Sequence, residues 1–275
     1  MTTVVATDLD RTLIYSAAAI ADAHAGQQVP PLLCVEVLDG RQQSFMTVAA
    51  AELLAGLRSH ALLVPTTTRT IAQYHRVTLP GGPTAFAVTS NGGHILVDGA
   101  PDQRWRRSVE TRIAGDGAPL GEIVDELRRA ATAGWVLTRK VADNFFCYLV
   151  VDLAELPADF LPTLTDWCAA RGWVVSFQGR KIYTLPSALT KEAALAEVMV
   201  RTGADRLLAA GDGALDAGFL RIADAAIRPA HGELAESGWA AAHVQVATAP
   251  GVLAGEEISR WLAGQVGRAG SSPVS

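Results

Sequence analysis

Asp8 and Asp10 stand one residue apart at the end of the apolar run Val4-Val5-Ala6-Thr7. Two carboxylates in one crevice repel each other and lose hydration, so a proton, a basic side chain or a metal ion has to compensate them. An apolar run that ends in acids reads as a buried parallel strand, and its C-terminal end is where parallel sheets bind ligands. Three later apolar runs end in polar clusters that could supply partners. Ala61-Leu62-Leu63-Val64-Pro65 leads to Thr66-Thr67-Thr68-Arg69, and Phe86-Ala87-Val88 leads to Thr89-Ser90-Asn91-Gly92-Gly93. Leu207-Leu208-Ala209-Ala210 leads to Gly211-Asp212-Gly213-Ala214-Leu215-Asp216. Four strands are therefore expected to deliver polar groups to one edge of one sheet.

The chain that must position these groups has 275 residues, enough for one large or two modest domains. Its 49% hydrophobic and 19% charged residues are those of an ordinary globular protein. A net charge of -5 argues against a nucleic-acid or membrane-surface partner, either of which calls for a cationic face. No apolar run approaches the ~20 residues of a membrane span, and Met1-Thr2-Thr3 runs straight into the first strand without a basic leader. Cys34, Cys147 and Cys168 are scattered without metal-ligand spacing, which predicts reduced structural thiols and a cytoplasmic location. Oligomeric state is not legible in the sequence.

After the first motif, residues 15 to 30 are rich in alanine and polar residues, and Pro30-Pro31 breaks the chain. Leu32 to Val37, the turn Asp39-Gly40 and Gln42 to Met46 predict a β-hairpin, read equally as a flap near the acidic pair or a surface excursion. Thr47 can cap a helix through about His60, with Ala50, Leu53, Leu54 and Leu57 on its apolar face. A helix around Ile71 to Thr78 follows the second strand, and a strand over His94 to Val97 follows the third. From about residue 100 the texture changes: Arg104-Trp105-Arg106-Arg107 give way to a helix from Leu120 to Ala133, then strands Trp135 to Lys140 and Phe145 to Asp152. A helix from Ala158 to Ala170 and strands Trp173 to Phe177 and Lys181 to Leu185 repeat the helix-strand-strand order, as a compact inserted domain requires. Lys191 opens a helix to about Arg201. Strands are expected at Ala225 to Arg228 and His243 to Ala247, a last helix at Gly255 to Leu262, and a frayed tail over Gly267 to Ser275.

Four motifs in this order resemble the haloacid dehalogenase superfamily of phosphohydrolases: Asp8-Leu9-Asp10-Arg11-Thr12, Thr67 in its Thr-rich turn, Lys191, and Gly211-Asp212-Gly213-Ala214-Leu215-Asp216. Each alone is weak; all four, each at a strand end or helix start, are a strong signal. The insert between the second and third motifs is similar to the subgroup with an α/β cap, which includes Cof-type sugar phosphatases, sucrose-phosphate phosphatases and mannosyl-3-phosphoglycerate phosphatases. Ser90-Asn91-Gly92 and Gly179 to Lys191 resemble that subgroup as well. The resemblance implies an α/β fold with a Rossmann-like three-layer core around a parallel sheet, formed by residues 1–98 and 186–275. It also implies an inserted α/β cap domain over 99–185. Two departures lie beside the site: Arg11 stands where the family commonly has glycine, and the Pro-rich hairpin at 30–46 is longer than the usual link.

By that resemblance Asp8 is the nucleophile that forms an aspartyl-phosphate. Asp10 is the general acid and base, which requires a pKa raised toward working pH. Asp8, the backbone carbonyl of Asp10 and Asp212 would hold Mg²⁺, an ion that prefers oxygen ligands. Asp216 would orient metal-bound waters or Lys191. Thr67, with Thr66 and Thr68 as rivals, and Lys191 would hold the phosphoryl oxygens. Each has a plainer reading: a turn or first-turn acid for Asp8, Asp10 and Asp216, and a solvent-facing helix-start lysine for Lys191. Asn91 is read equally as a substrate or loop-bracing residue and as an ordinary Asn-Gly turn. Arg180 is favoured over Arg104, Arg106, Arg107 and Lys181 for a second anionic group on the substrate.

The expected activity is Mg²⁺-dependent hydrolysis of a small phosphorylated metabolite, a sugar or polyol phosphate, with the cap selecting the leaving group. A phosphomutase or a catalytically idle binding protein of the same fold are the alternatives. A nucleotide-binding oxidoreductase is disfavoured, because the first turn is Asp-Leu-Asp-Arg-Thr rather than glycine-rich.

Overall fold

The strand Thr3–Thr7 is flanked in parallel by Arg206–Ala210 and by Leu62–Pro65, and the sheet runs outward through Ala225–Arg228 to Val244–Val246. This computed structural model describes residues 2–25, 28–130 and 134–270. The five strands are all parallel, and Thr3–Thr7 and Arg206–Ala210 have unbroken apolar interiors, Val4 to Ala6 and Leu207 to Ala210, because helices cover both faces. On one face Val5, Leu208 and Ile227 pack with Ala50, Leu54 and Leu57 of the helix Val48–Leu57 and with Ile258 and Leu262 of Gly251–Gly270. The alternate residues Val4, Ala6, Leu207 and Ala209 are as deeply buried but lie outside that cluster. The helices Lys191–Thr202 and Ala217–Ile222 pack together and form the second covering layer. Three layers result.

Phe86–Thr89 departs from the expectation of a fourth strand in the same ladder. It pairs antiparallel with His94–Val97 in a separate three-stranded sheet and meets the parallel sheet through the bridge Thr66–Val88. Thr66 donates its N–H to Thr7, so the preceding Pro65 faces the other neighbour, where it has no N–H to give. The helix expected over Ile71 to Thr78 is only Ile71–Tyr74, closed at its start by a capping box between Thr70 and Gln73. It stops because Val77 bridges to Glu36 and the Thr78 N–H binds the Val35 carbonyl, which spends the backbone on the hairpin instead. The last helix runs Gly251–Gly270, past the expected end and into the tail; residues 271–275 of that tail lie outside the described residues.

The hairpin comprises Leu32–Leu38 and Arg41–Thr47, and Tyr15–Ser16 adds a short third strand. Asp39 and Gly40 both take positive φ, as a tight two-residue turn demands.

Residues 102–190 form a second compact unit, and residues 1–101 with 191–275 form the first. The second unit is a four-stranded antiparallel sheet in the order Trp173–Gln178, Lys181–Pro186, Phe146–Val151, Val136–Ala142. Its helices include Leu120–Ala130 and Phe160–Ala169; the expected end of the former at Ala131 to Ala133 lies outside the described residues. A further helix, Gln103–Ala114, was not expected from the sequence. Asp102 caps it by accepting the N–H groups of Arg104 and Trp105, but just Trp105 and Val109 are buried on it, too few to stand out as an apolar period.

Candidate active site

Three carboxylates meet where the central strands end. Asp8 follows Thr3–Thr7, with its N–H bound to the Ala210 carbonyl at 2.8 Å, and Asp212 follows Arg206–Ala210 by two residues. Asp216 closes the short turn Ala214–Asp216. Each of Asp8, Asp212 and Asp216 offers an oxygen within 4.8 Å of the others, and all three are buried. Lys191, the first residue of its helix and 2% exposed, sends its Nζ to Asp8 Oδ1 at 2.7 Å and to Asp216 Oδ1 at 2.6 Å. The other Asp216 oxygen accepts the N–H groups of Asp212 at 3.0 Å and Gly213 at 2.9 Å, which ties the loop to the lysine. The turn permits no side chain at Gly211 or Gly232: an added Cβ would lie 2.6 Å from Asp216 Cβ in the first case and from the Asp212 carbonyl oxygen in the second. Thr12 completes this side by donating to Asp212 Oδ1 at 3.4 Å.

The cluster carries more negative charge than it can neutralise. Burial, partly offset by Lys191 and reinforced by Asp216 and Asp10, pushes Asp8 up to about 7. Burial and then the charges of Asp8 and Asp216 raise Asp212 well above the usual carboxylate range. Three hard oxygen donors with one lysine between them suit a divalent cation such as Mg²⁺.

Thr66 and Thr67 are told apart by their hydroxyls. Thr66 Oγ1 donates back to the Val64 carbonyl at 3.0 Å, whereas Thr67 Oγ1 accepts the Arg69 N–H at 3.2 Å, which leaves its proton for another acceptor. The Thr67 backbone is pinned by Val88 on one side and by the Asn91 N–H on the other, and the Arg69 carbonyl accepts from Ser90. Ser90 and Asn91 hold positive φ and are buried, so this brace is kept at some backbone cost. Arg180 belongs to the second unit, exposed at the turn before Lys181–Pro186, where its carbonyl accepts the Val151 N–H.

The Asp10 carboxylate is not one of the three that converge. It is 46% exposed and gripped by Arg69, with Nε to Oδ2 at 2.7 Å and Nη2 to Oδ1 at 2.8 Å. Arg11 adopts φ 61°, a left-handed conformation in which glycine is favoured, so an arginine is held here at a backbone cost. Its carbonyl accepts from His231 Nε2 at 2.8 Å. Burial of that imidazole lowers its pKa.

Sequence reasoning missed Glu36, Ser44, Arg76 and His231. A signal for Glu36 existed: it is the single acid in the run Leu32-Leu33-Cys34-Val35-Glu36-Val37-Leu38, and its cross-strand partner is the polar Ser44. Burial by itself would raise its pKa, but hydrogen bonds from Arg69 and Ser44 and the charge of Arg69 outweigh it and hold the carboxyl below its usual value.

No protein-family model matches the sequence, and no curated protein matches it. Solved structures do. The sucrose-phosphatase of Synechocystis sp. PCC6803, in complex with sucrose and phosphate, superposes with a TM-score of 0.63 at 15% identity over 95% of this chain and 98% of that one. A phosphatase of the haloacid dehalogenase superfamily from Bacteroides thetaiotaomicron gives 0.53 at 15% identity over 97% and 96%. A sugar phosphatase of subclass IIB of that superfamily gives 0.56 at 12% identity over 98% and 99%. The chain therefore has the fold of these proteins along nearly its whole length.

Proposed function

We propose that this protein is a Mg²⁺-dependent phosphatase of a small phosphorylated metabolite, a sugar or polyol phosphate, working through an aspartyl-phosphate on Asp8. The observation that carries the reading is Lys191 bridging Asp8 and Asp216 beside Asp212 at the ends of adjacent parallel strands. The named activities of the structural neighbours favour the same chemistry and substrate class.

In this reading an Asp8 oxygen attacks phosphorus and the bond to the substrate oxygen breaks, while Asp10 gives its proton to the departing alkoxide. Water then attacks the phosphorus of the acyl phosphate, Asp10 takes the proton back, and Asp8 is restored as phosphate leaves. Lys191 has a third N–H beyond the two given to Asp8 and Asp216, and with the Thr67 hydroxyl it holds the phosphoryl oxygens. Bound by Asp8, Asp212 and the Asp10 carbonyl, with Asp216 behind them, Mg²⁺ would neutralise the converging charge and polarise the phosphoryl group. The bridge of Asp216 to Lys191 supports a part for Asp216 in orienting the lysine. Asn91 serves by bracing the Thr67 turn through its backbone.

Among the described residues no helix is long and apolar enough to cross a membrane. All three cysteines are free thiols, which fits a reducing, cytoplasmic compartment.

Purified protein assayed against a panel of sugar and polyol phosphates should release phosphate with Mg²⁺ and lose that activity on chelation. Failure to exceed the Asp8→Asn variant on every substrate would rule the reading out.

A further inference from the structure

The long hairpin contributes a buried acid to the network that holds Asp10. Glu36 is 3% exposed at its side chain, and both its oxygens are engaged. Oε2 accepts from Ser44 Oγ at 2.6 Å and from Arg69 Nη2 at 3.0 Å; Oε1 pairs with Arg69 Nη1 at 3.0 Å and Arg76 Nε at 3.1 Å. Arg69 is thus clamped along two edges of one rigid plane, with Asp10 on Nε and Nη2 and Glu36 on Nη1 and Nη2. Fixing one edge of a guanidinium fixes the other. Asp10, nearly half exposed, makes a solvent-screened pair that could not by itself hold a long arginine in one rotamer.

A buried carboxylate is a costly way to pin a hairpin that apolar side chains could pin as well. The strand is shaped around it: the ladder with Arg41–Thr47 shifts register on both sides of Glu36, an irregularity of the kind that re-aims a side chain. The same segment is tied to the stretch carrying Arg76 through the Glu36–Val77 bridge and the bond from the Thr78 N–H to Val35.

We propose that Glu36 is a positioning residue: through Arg69 it sets where the Asp10 carboxylate stands, and so makes the hairpin part of the proton-transfer apparatus. This rests on the phosphatase reading above. Asp10 donates a proton to the leaving oxygen, so displacing it should harm substrates with a basic alkoxide leaving group. Aryl phosphates such as p-nitrophenyl phosphate, whose leaving group departs as a stable phenolate, should be spared. Loss of general structure would lower both alike.

The test is kcat/KM of Glu36→Gln with an alkyl phosphate the wild type hydrolyses and with p-nitrophenyl phosphate, at saturating Mg²⁺, with thermal unfolding as the control for folding. The expected result is a fall of about tenfold on the alkyl phosphate and less than about threefold on the aryl one, because kcat/KM reports the step that forms the aspartyl-phosphate. Ser44→Ala, which removes the hydrogen bond to Glu36 and a long one from Arg69 Nη2 but no charge, loosens the same clamp; it should show the same selectivity at smaller size and serves if Glu36→Gln does not fold. Equal losses on the two substrates, or none, overturn the positioning role alone. A wild type that releases phosphate from neither substrate overturns the phosphatase reading and this inference with it.

Discussion

Asp8 and Asp10 each begin a carboxylate–cation–carboxylate bridge, and the two bridges are built to opposite ends. Asp8 shares Lys191 with Asp216, and Asp212 stands beside them, so three acids face one lysine. Asp10 shares Arg69 with Glu36, and Arg76 joins the far side, so two acids face two bases. The consequences for protonation differ accordingly. Asp8 is pushed upward by burial and by the charges of Asp216 and Asp10, and Asp212 by burial and by the charges of Asp8 and Asp216, whereas Glu36 is held down by hydrogen bonds from Arg69 and Ser44 and by the charge of Arg69. An unbalanced buried cluster invites a further cation; a balanced one holds its members in place. A single residue, Leu9, separates a carboxyl of the unbalanced cluster from a carboxyl of the balanced one.

The sharpest break in this comparison is Asp8→Asn. By the proposed mechanism it removes the nucleophile and relieves repulsion, so phosphate release should fall by about 10⁴-fold or more while the fold survives; the pair of measurements is steady-state turnover and thermal unfolding. Next comes Lys191→Met, which leaves the three acids with no lysine among them. We expect kcat/KM to fall by about 10³-fold and the metal-free protein to gain more from added Mg²⁺ than the wild type does, read as the shift in its unfolding midpoint.

A pH series separates the bridges in sign. A carboxyl whose folded pKa lies above its unfolded value, as Asp8 at about 7 against 3.8, leaves the folded state holding a proton that the unfolded state has released. Metal-free protein should therefore lose stability as pH rises from about 4 to about 7, and Mg²⁺ should cancel that slope. Glu36 acts the other way: its folded pKa is lowered, so its contribution is present above the unfolded value of 4.5 and is lost as pH falls through the folded one. Thermal melts of Glu36→Gln and wild type should converge at the acid end; a gap that stays constant down to acid denaturation would contradict the assignment.

The smallest effect belongs to Arg11→Gly. Relief of a left-handed arginine, less the entropy of glycine, should stabilise the protein by about 0.5–1 kcal/mol in denaturant unfolding and leave both bridges intact.

Much of this was legible along the chain because it is local. An apolar run ending in acids, a lysine at a helix start and Asp39-Gly40 between β-rich segments each announce themselves within a few residues, and the parallel sheet with its inserted α/β unit follows from their order. The Thr47 cap could be read in the same way. The helix Gln103–Ala114 was hidden by a charged surface that leaves two apolar residues to mark its buried face.

What only the tertiary structure decided is who stands across from whom. Arg69 reaches Asp10 and Glu36, 59 and 33 residues away in sequence, and no periodicity encodes that meeting. Nor could spacing separate the Thr66 hydroxyl, bent back onto Val64, from that of Thr67. Sequence fixes where a side chain leaves the backbone and with what chemistry; its partner depends on how distant strands and a hairpin fold onto one edge, and that pairing sets its charge state and its use.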